Sequence, residues 1–501
     1  VLKRLVFCVV AIFLGIEAGA LVLFNVPVVL NLPVDTWAVG LHWQLLALSV
    51  SNLVNPFLPY AYLLFIILGV LAFLLKAFPV TALVSRWRSS RLFCFFRSWC
   101  DMVEHSNGEN GEPLSSHLPL AVAVLVSVAV SSFFVVITVL PWINPTYRLV
   151  SVDAASYYSY IHHMRGLDVN SALNWALRTD RPVFMVFLAL LSYVVGPVNL
   201  VQFMPALLIP VWCVASVLLL RLFCPVREAL IYTALLAPFS VVGLGLLYSG
   251  YFANLLAVVL VYAYFILLVK LFNGWSSLVF IALLGVSVLV LFVHLGTWFV
   301  FVASLGAFSF LECILVVQNR AVWRSVKWKV AIVGLTIAVG LVCDVVREAL
   351  VPWSIASFVS SNIAKTFGFI NGGFVLSGLR LTADFYLGGV FGLAPIALIS
   401  IVGFVFMLRL KSVISNLLAS WVFVSCVYML FASDTDVFNR FLFIMPSLVF
   451  SGLGLSFIVR SAIGSVNIGR KRGIAEFLIF FFVLLVFLNF ALNYIVNLNT
   501  L

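Results

Sequence analysis

Runs of about 20 apolar residues recur from one end of the sequence to the other, and they constrain the fold more than any other feature. Such a run enters lipid only as a helix, because lipid offers no hydrogen-bond partner to backbone N–H and C=O groups. Of the 501 residues, 64% are hydrophobic and 9% are charged, whereas soluble chains carry roughly a quarter charged residues. The sequence therefore predicts an all-α, polytopic transmembrane helical bundle.

The apolar runs predict about thirteen membrane spans of the required length. The predicted spans are 4–25, 57–78, 118–141, 199–221, 229–247, 252–272, 276–292, 296–316, 330–350, 386–409, 412–431, 440–459 and 474–495. Lys3 and Arg4 followed by the first apolar run are typical of a signal anchor or a signal peptide, and the length of the run favours the anchor. The shorter stretch 183–195 is interpreted as an interfacial helix in the first long outer loop, because counting it as a span would place Arg221 and Arg227 outside.

The charge distribution predicts the orientation of the chain. The net charge of +11 would suggest nucleic-acid binding in a soluble protein. Here 20 of the 28 Lys and Arg residues fall on one side of the predicted spans if the N-terminus is cytoplasmic, which matches the positive-inside bias. We therefore expect a multi-pass protein of the cell membrane that contacts membrane lipids and no nucleic acid.

The order of the segments predicts four regions. Residues 1–100 form an N-terminal unit with two spans and a cytoplasmic basic segment, and residues 101–116 form a flexible cytoplasmic loop. Residues 117–460 form the transmembrane core, and residues 461–501 carry a C-terminal span. The N-terminal helices are also candidate contacts for other membrane proteins.

The outer side holds most of the candidate catalytic and binding residues. Nine of the seventeen acidic residues fall there, and two outer loops are long, at 142–198 and 351–385. Asp153 is a candidate general base or divalent-cation ligand, and the alternative is that it caps the following helix. Tyr157 and its neighbours Tyr158 and Tyr160 are interpreted as interfacial anchors, with sugar stacking as the alternative.

Histidine and arginine residues on the same side are further candidates. Arg181 follows Asp180 and is suited to a phosphate, to a lipid headgroup or to pairing with Asp180. His162 and His163 are adjacent, so on a helix their side chains point about 100° apart and the pair is a poor metal site. His163 is instead a candidate for substrate contact. His294 at a predicted span edge is either a packing histidine or a functional one.

Two clusters lie near the outer ends of later spans. Asp344, Arg347 and Glu348 share one helical face, and a structural ion pair is the favoured interpretation. Asp434 and Asp436 precede Arg440, which is suited to a lipid-borne phosphate.

The order of several motifs resembles the GT-C superfamily of membrane glycosyltransferases, which use polyprenyl-phosphate-linked sugars. The similar elements cover 117–460: the outer acid Asp153, the R-P-x-F segment at Arg181, Y-S-G-Y-F-A-N-L-L-A from Tyr248, H-L-G-T-W from His294 and N-R-F-L-F-I-M-P from Asn439. The last three of these motifs are similar to archaeal members.

The resemblance implies a function and a set of site residues. Asp153 would be the base or metal ligand, and Arg440 would meet the phosphate of the lipid. The remaining candidates for the phosphate or substrate are Arg181, His163, His294, Arg380 and Lys365. No soluble cofactor is implied, and a divalent cation, Mg²⁺ or Mn²⁺, is a further expectation through Asp153, Asp434 and Asp436. The sequence predicts no soluble C-terminal domain like that of oligosaccharyltransferases, so transfer of a single hexosyl or pentosyl group is expected.

Two other functions remain open from the sequence. A transporter or flippase would require ionisable residues near the bilayer midplane and paired broken helices, and only Glu17 is a candidate for such a residue. A non-catalytic scaffold subunit of a membrane complex would fit the aromatic-rich helices.

Overall fold

The structure is a computed structural model that describes residues 58–77, 118–137, 153–224, 226–318, 323–351, 394–408, 412–431 and 443–465, with the single positions 140, 144, 149, 151, 410 and 440. Within these residues the regular secondary structure is helical and no strand occurs. The prediction of an all-α chain is confirmed for this part of the sequence. The predicted spans 4–25 and 474–495 lie outside it.

Several of the described helices coincide with predicted spans, although the span predicted over 330–350 begins at Trp323 and the one predicted over 440–459 corresponds to a helix over Ser447–Ser465. They are α1 (Leu58–Ala77), α2 (Leu118–Ile137), α3 (Ala154–Arg165), α4 (Val169–Leu177), α5 (Pro182–Val195), α6 (Pro197–Arg221), α7 (Arg227–Leu236), α8 (Val241–Ser249), α9 (Phe252–Asn273), α10 (Ser277–Val293), α11 (Leu295–Val317), α12 (Trp323–Leu350), α13 (Ala394–Met407), α14 (Val413–Phe431) and α15 (Ser447–Ser465).

Six of these helices are long and apolar enough to cross a membrane by length and composition. They are α2, α6, α9, α11, α12 and α14. Helices α5, α10 and α15 are apolar over shorter lengths. A chain with these helices is consistent with a membrane protein, and the number of thirteen spans stays a prediction.

The span predicted over 229–247 is broken in its middle. Helix α7 ends at Leu236, a short 3-10 turn occupies Ala237–Phe239, and α8 begins at Val241. Pro238 in the turn has no N–H to donate, so the α-helical ladder cannot continue through it. Ser240 then caps α8 by accepting a hydrogen bond from the Gly243 N–H at 3.0 Å. The two halves therefore meet at a fixed bend.

Helices α3, α4 and α5 form a small layer over one end of the bundle. Helix α5 packs against α3, α4, α6 and α10. Its inner side buries Phe184 and Leu188, while Leu190 and Val194 are exposed on the other side. Both sides of this 14-residue helix are apolar, whereas an interfacial helix usually has one polar side, so its interfacial position stays a prediction.

Small residues allow α13 and α15 to pack with their backbones in contact. A Cβ atom on Gly403 would overlap the carbonyl group of Phe450, and one on Gly454 would overlap the carbonyl group of Ile399. The hydroxyl groups of Ser400 and Ser451 are hydrogen-bonded across the same interface at 2.6 Å. This is the close packing that small residues give between membrane helices. Helix α15 also packs against α7, so the position at which the preceding segment joins α15 is fixed.

A polar network ties α1 to the core at the end of the bundle that is predicted to be cytoplasmic. The Lys76 ammonium group donates to Ser415 Oγ at 2.7 Å and to Asn416 Oδ1 at 2.9 Å. The Asn416 amide donates to Glu312 at 3.0 Å, and Lys329 pairs with the other carboxylate oxygen of Glu312 at 2.7 Å. Helices α1, α11, α12 and α14 are therefore joined by a continuous chain of hydrogen bonds.

Replacement of Gly454 by Ala is expected to destabilise the bundle by about 1–3 kcal/mol, because the added methyl group meets a backbone carbonyl that cannot rotate away. Gly306→Ala is the matched control, since a Cβ at that helical position meets open space. Thermal unfolding of the purified protein in detergent measures both effects. Equal unfolding temperatures for the two variants would contradict the close packing of α13 and α15.

Candidate functional site

Asp153 occupies the N-cap position directly before α3. Its carbonyl group accepts the Tyr157 N–H at 3.0 Å, as that of an N-cap residue does, but its side chain makes no capping hydrogen bond, so the predicted cap is formed by the backbone alone. Its backbone N–H donates to the Ser249 carbonyl at 3.1 Å. This bond holds the beginning of α3 against the end of α8.

Gly250 allows this close approach of two chain segments. Its φ of +74° lies in the left-handed region, and a Cβ there would come within 2.7 Å of Ser151 Oγ and 3.3 Å of Asp153 Cβ. Ser151 itself has a φ of +145°, which is strained for a residue with a side chain. The glycine of the Y-S-G-Y-F-A-N motif thus has a physical role: it seats the segment that carries Asp153.

Arg181 is held in one orientation by two neighbours. Its Nε and Nη2 atoms donate to the two carboxylate oxygens of Asp180 at 2.9 and 3.2 Å. Its Nη1 atom donates to the Tyr157 hydroxyl at 2.8 Å. Arg181 and Asp180 are surrounded by protein on most sides, yet their side chains remain 17% and 27% exposed, so they line a recess. Although burial opposes ionisation of Asp180, Arg181 holds the pKa of this carboxyl group below its usual range.

Tyr157 lies inside the protein, and its interpretation as an interfacial anchor is wrong. Its side chain is buried between the rings of Phe184 and Phe252, with centroid distances of 5.7 and 5.2 Å. Burial raises the pKa of Tyr157, so the phenol is neutral when it accepts the Arg181 bond. The neighbouring Tyr158 and Tyr160 are exposed, as an interfacial position requires.

His294 is the N-cap of α11 and is neutral. Its Nδ1 atom accepts the Thr297 backbone N–H at 3.0 Å and lies 2.9 Å from the Thr297 hydroxyl. Because Nδ1 is an acceptor, the ring proton resides on Nε2. Burial, with the positive charges of Arg181 and Arg440, lowers the pKa of His294 to about 3. The histidine and threonine of the H-L-G-T-W motif therefore build a cap that fixes the tautomer.

Arg440 precedes α15 and approaches the same region. Its guanidinium carbon lies 5.5 Å from the centroid of the Tyr251 ring. Its Nε atom is buried and has no hydrogen-bond partner among the residues that the structure describes. The charge of Arg440 acts on both Asp180 and His294.

Four predicted site residues thus lie close together with Asp180, which was not predicted as a site residue. The outer cluster consists of Asp153, Asp180, Arg181, His294 and Arg440. The charges of Asp153, Asp180 and Arg181 all act on Tyr157, and those of Asp180, Arg181 and Arg440 act on His294. The sequence predicted Asp180 only as an alternative partner of Arg181. Its position next to that arginine could have indicated that it belongs to the same site.

Other predicted residues lie elsewhere. His163 is exposed on α3 and packs beside the Trp175 ring, with 5.1 Å between centroids, so the structure does not bring it into the outer cluster. Arg380, Lys365, Asp434 and Asp436 lie outside the described residues. In the described part of the chain, no group of three His, Cys, Asp or Glu side chains is arranged to hold a metal ion. The divalent cation therefore stays a prediction.

The predicted ion pair near the outer end of α12 is confirmed for two of its three members. Arg347 Nη2 donates to Asp344 Oδ1 at 2.5 Å, and both side chains are buried. Glu348 is exposed. Arg347 also interacts with the charge of Asp180, which places this pair beside the outer cluster.

No protein-family model matches the chain, and no curated protein matches it. The GT-C resemblance therefore depends on the motifs named above. The geometry of the outer cluster is an independent basis for a functional hypothesis.

Acidification from pH 7 to pH 5 is expected to destabilise the protein through His294. The unfolded imidazole takes up a proton near its ordinary pKa of 6.5, whereas the folded ring stays neutral down to about pH 3. The unfolded state then binds more protons, so stability falls as the pH drops below 6.5, by about 2 kcal/mol at pH 5. Thermal unfolding at both pH values checks this, with His294→Gln as the comparison because its amide does not titrate. An identical pH response in the two proteins would show that the folded ring is not neutral.

Proposed function

We propose that this chain is a membrane glycosyltransferase that moves a sugar from a polyprenyl-phosphate carrier to an acceptor hydroxyl on the non-cytoplasmic face. The observation that carries the proposal is that Asp153 lies against Gly250, next to the Tyr251 ring that contacts Arg440, while the charges of Arg181 and Arg440 both act on His294. A carboxylate beside fixed arginines is the combination that such a transfer requires, because a hydroxyl must lose a proton while a phosphate leaves.

The two arginines have different roles in this proposal. Arg181 already donates three hydrogen bonds to Asp180 and Tyr157, so it contributes mainly positive charge and orientation. Arg440 has a buried Nε with no partner among the described residues, and it is the stronger candidate to bond the phosphate of the carrier. Its guanidinium group would hold two phosphate oxygens at once.

His294 would meet a phosphate oxygen as a neutral donor. Thr297 occupies Nδ1, which leaves the Nε2–H to donate to an acceptor, and the charges of Arg181 and Arg440 act on the same ring. A neutral donor stabilises charge on the leaving phosphate without adding a third cation to the recess. Its role would therefore not depend on the protonation of histidine near neutral pH.

Asp153 would act as the general base. It would take the proton of the acceptor hydroxyl while the acceptor oxygen bonds to the anomeric carbon and the bond from that carbon to the phosphate oxygen breaks. The products are the glycosylated acceptor and a polyprenyl phosphate, and the anomeric configuration is inverted because a single displacement occurs. The phosphate leaving group supplies the driving force, and no nucleotide is needed.

The helices around the outer cluster suit a lipid-borne donor. Helix α5 begins next to Arg181 and exposes Leu190 and Val194 on the side away from the bundle. A polyprenyl chain in the outer leaflet would reach the recess along this apolar surface. The proposal includes a cytoplasmic N-terminus, a location in the cell membrane and the thirteen predicted spans.

Transport of a lipid-linked substrate is the second candidate, and the broken span α7–α8 favours it. Interrupted helices commonly form binding sites near the bilayer midplane in transporters. The bend at Pro238, however, carries no ionisable side chain from Ala237 to Ser240. Chemical transfer and movement of the intact lipid are distinguished by the product of the assay described next.

The test is transfer of label from a pool of polyprenyl-phosphate sugars to acceptors in membranes containing the full chain. Asp153→Asn is expected to lose transfer at least about 100-fold through loss of the base, and Arg440→Ala by a similar factor through loss of phosphate stabilisation. Asp168→Asn and Arg178→Ala are matched controls at exposed positions of the same outer segment, and they should retain transfer.

Two outcomes would contradict the proposal. One is unchanged transfer in both site variants at matched expression. The other is movement of the intact labelled lipid between leaflets without any labelled acceptor, which would favour the transporter.

A further inference from the structure

We infer that Asp180 is a positioning residue of the proposed transferase site: it is the internal counter-ion of the arginines, and its negative charge permits the phosphate product to leave. The inference rests on the proposed function, because it concerns the anionic ligand of the same recess. It adds a role for a residue that neither bonds the substrate nor takes a proton.

The position of Asp180 is fixed by its backbone as well as by its side chain. Its carbonyl group accepts the Leu295 N–H at 3.0 Å, which joins the start of α5 to the start of α11. Its two carboxylate oxygens hold the guanidinium group of Arg181. Removal of the side-chain charge should therefore leave the main chain of Asp180 in place.

Asp180 is surrounded by positive charge from three elements. Arg181 lies beside it, Arg440 approaches from the segment before α15, and Arg347 approaches from α12. Arg347 is already paired with Asp344. Without Asp180, neither Arg181 nor Arg440 would be paired with a carboxylate among the described residues.

The charges of donor and product make this balance important. A polyprenyl-phosphate sugar is a phosphodiester with one negative charge, whereas the released polyprenyl phosphate is a monoester with a charge near −2 at neutral pH. Arginines attract the product more strongly than the donor, because the interaction grows with the charge of the ligand. A fixed carboxylate repels both, and it repels the product about twice as strongly. Asp180 thus weakens retention of the product more than binding of the donor.

The test compares binding of two probes to the full-length protein in detergent. The probes are farnesyl phosphate, a monoester, and farnesyl methyl phosphate, a diester. Asp180→Asn keeps the shape of the side chain and one acceptor oxygen but loses the charge. For a carboxylate that is partly exposed, we expect affinity to rise about threefold for the diester and about tenfold for the monoester. Product inhibition of transfer by farnesyl phosphate should strengthen by the same tenfold factor.

The controls separate the possible failures. Asp168→Asn removes an exposed outer carboxylate that caps α4, and it should leave both affinities unchanged. Farnesol, which has no phosphate, reports the contribution of the lipid tail alone. If the wild type binds farnesyl phosphate no better than farnesol, both the proposed function and this inference are overturned.

Two further results would overturn the inference alone. In one, the wild type prefers the phosphates over farnesol, but Asp180→Asn binds the monoester and the diester with unchanged relative affinity. In the other, the variant loses transfer with no gain in either affinity, which would make Asp180 a base or a structural residue.

Discussion

The pairing of Arg181 with Asp180 and Tyr157 is the interaction on which the outer end of the bundle depends. A charge enclosed by apolar helices is costly unless it is paired and fully hydrogen-bonded. Through this one guanidinium group, α3 is bonded to the start of α5, and the backbone bond from Leu295 to Asp180 adds α11. Loss of Asp180 would leave the Arg181 charge without its counter-ion, and loss of the Tyr157 hydroxyl would leave an Arg181 donor unpaired, so the cluster is held in a single arrangement.

The two ends of the bundle contrast in how they use charge. At the predicted cytoplasmic end, Lys76 and Lys329 have their partners in Ser415, Asn416 and Glu312, and the network closes on itself. At the outer end, Arg440 keeps a buried donor atom with no partner among the described residues. A closed network ties helices together, whereas an incomplete one has capacity for a ligand. The contrast favours the outer end as the place of function.

The sequence predicted which side Asp153, Arg181, His294 and Arg440 would share, because helix length and the distribution of basic residues set the side on which each loop falls. It could not predict which face of each helix is inside, since apolar residues surround these helices and leave no clear periodicity. In α3, by contrast, Tyr157 lies at helical spacing from Ile161 and Met164 on one buried face, so its burial was predictable from the sequence and was missed. The break at Pro238 was missed too, although proline is the residue that interrupts helices most strongly.

The central claim is that the outer cluster binds the phosphate of a lipid carrier through Arg440. An experimental structure of the full chain in lipid nanodiscs with a polyprenyl phosphate tests it most directly. The account predicts phosphate density within hydrogen-bond distance of Arg440 and on the same side of the bundle as Asp153, with Asp180 still bonded to Arg181. Phosphate density away from Arg440, or Arg440 and Asp153 at separate surfaces, would contradict the account.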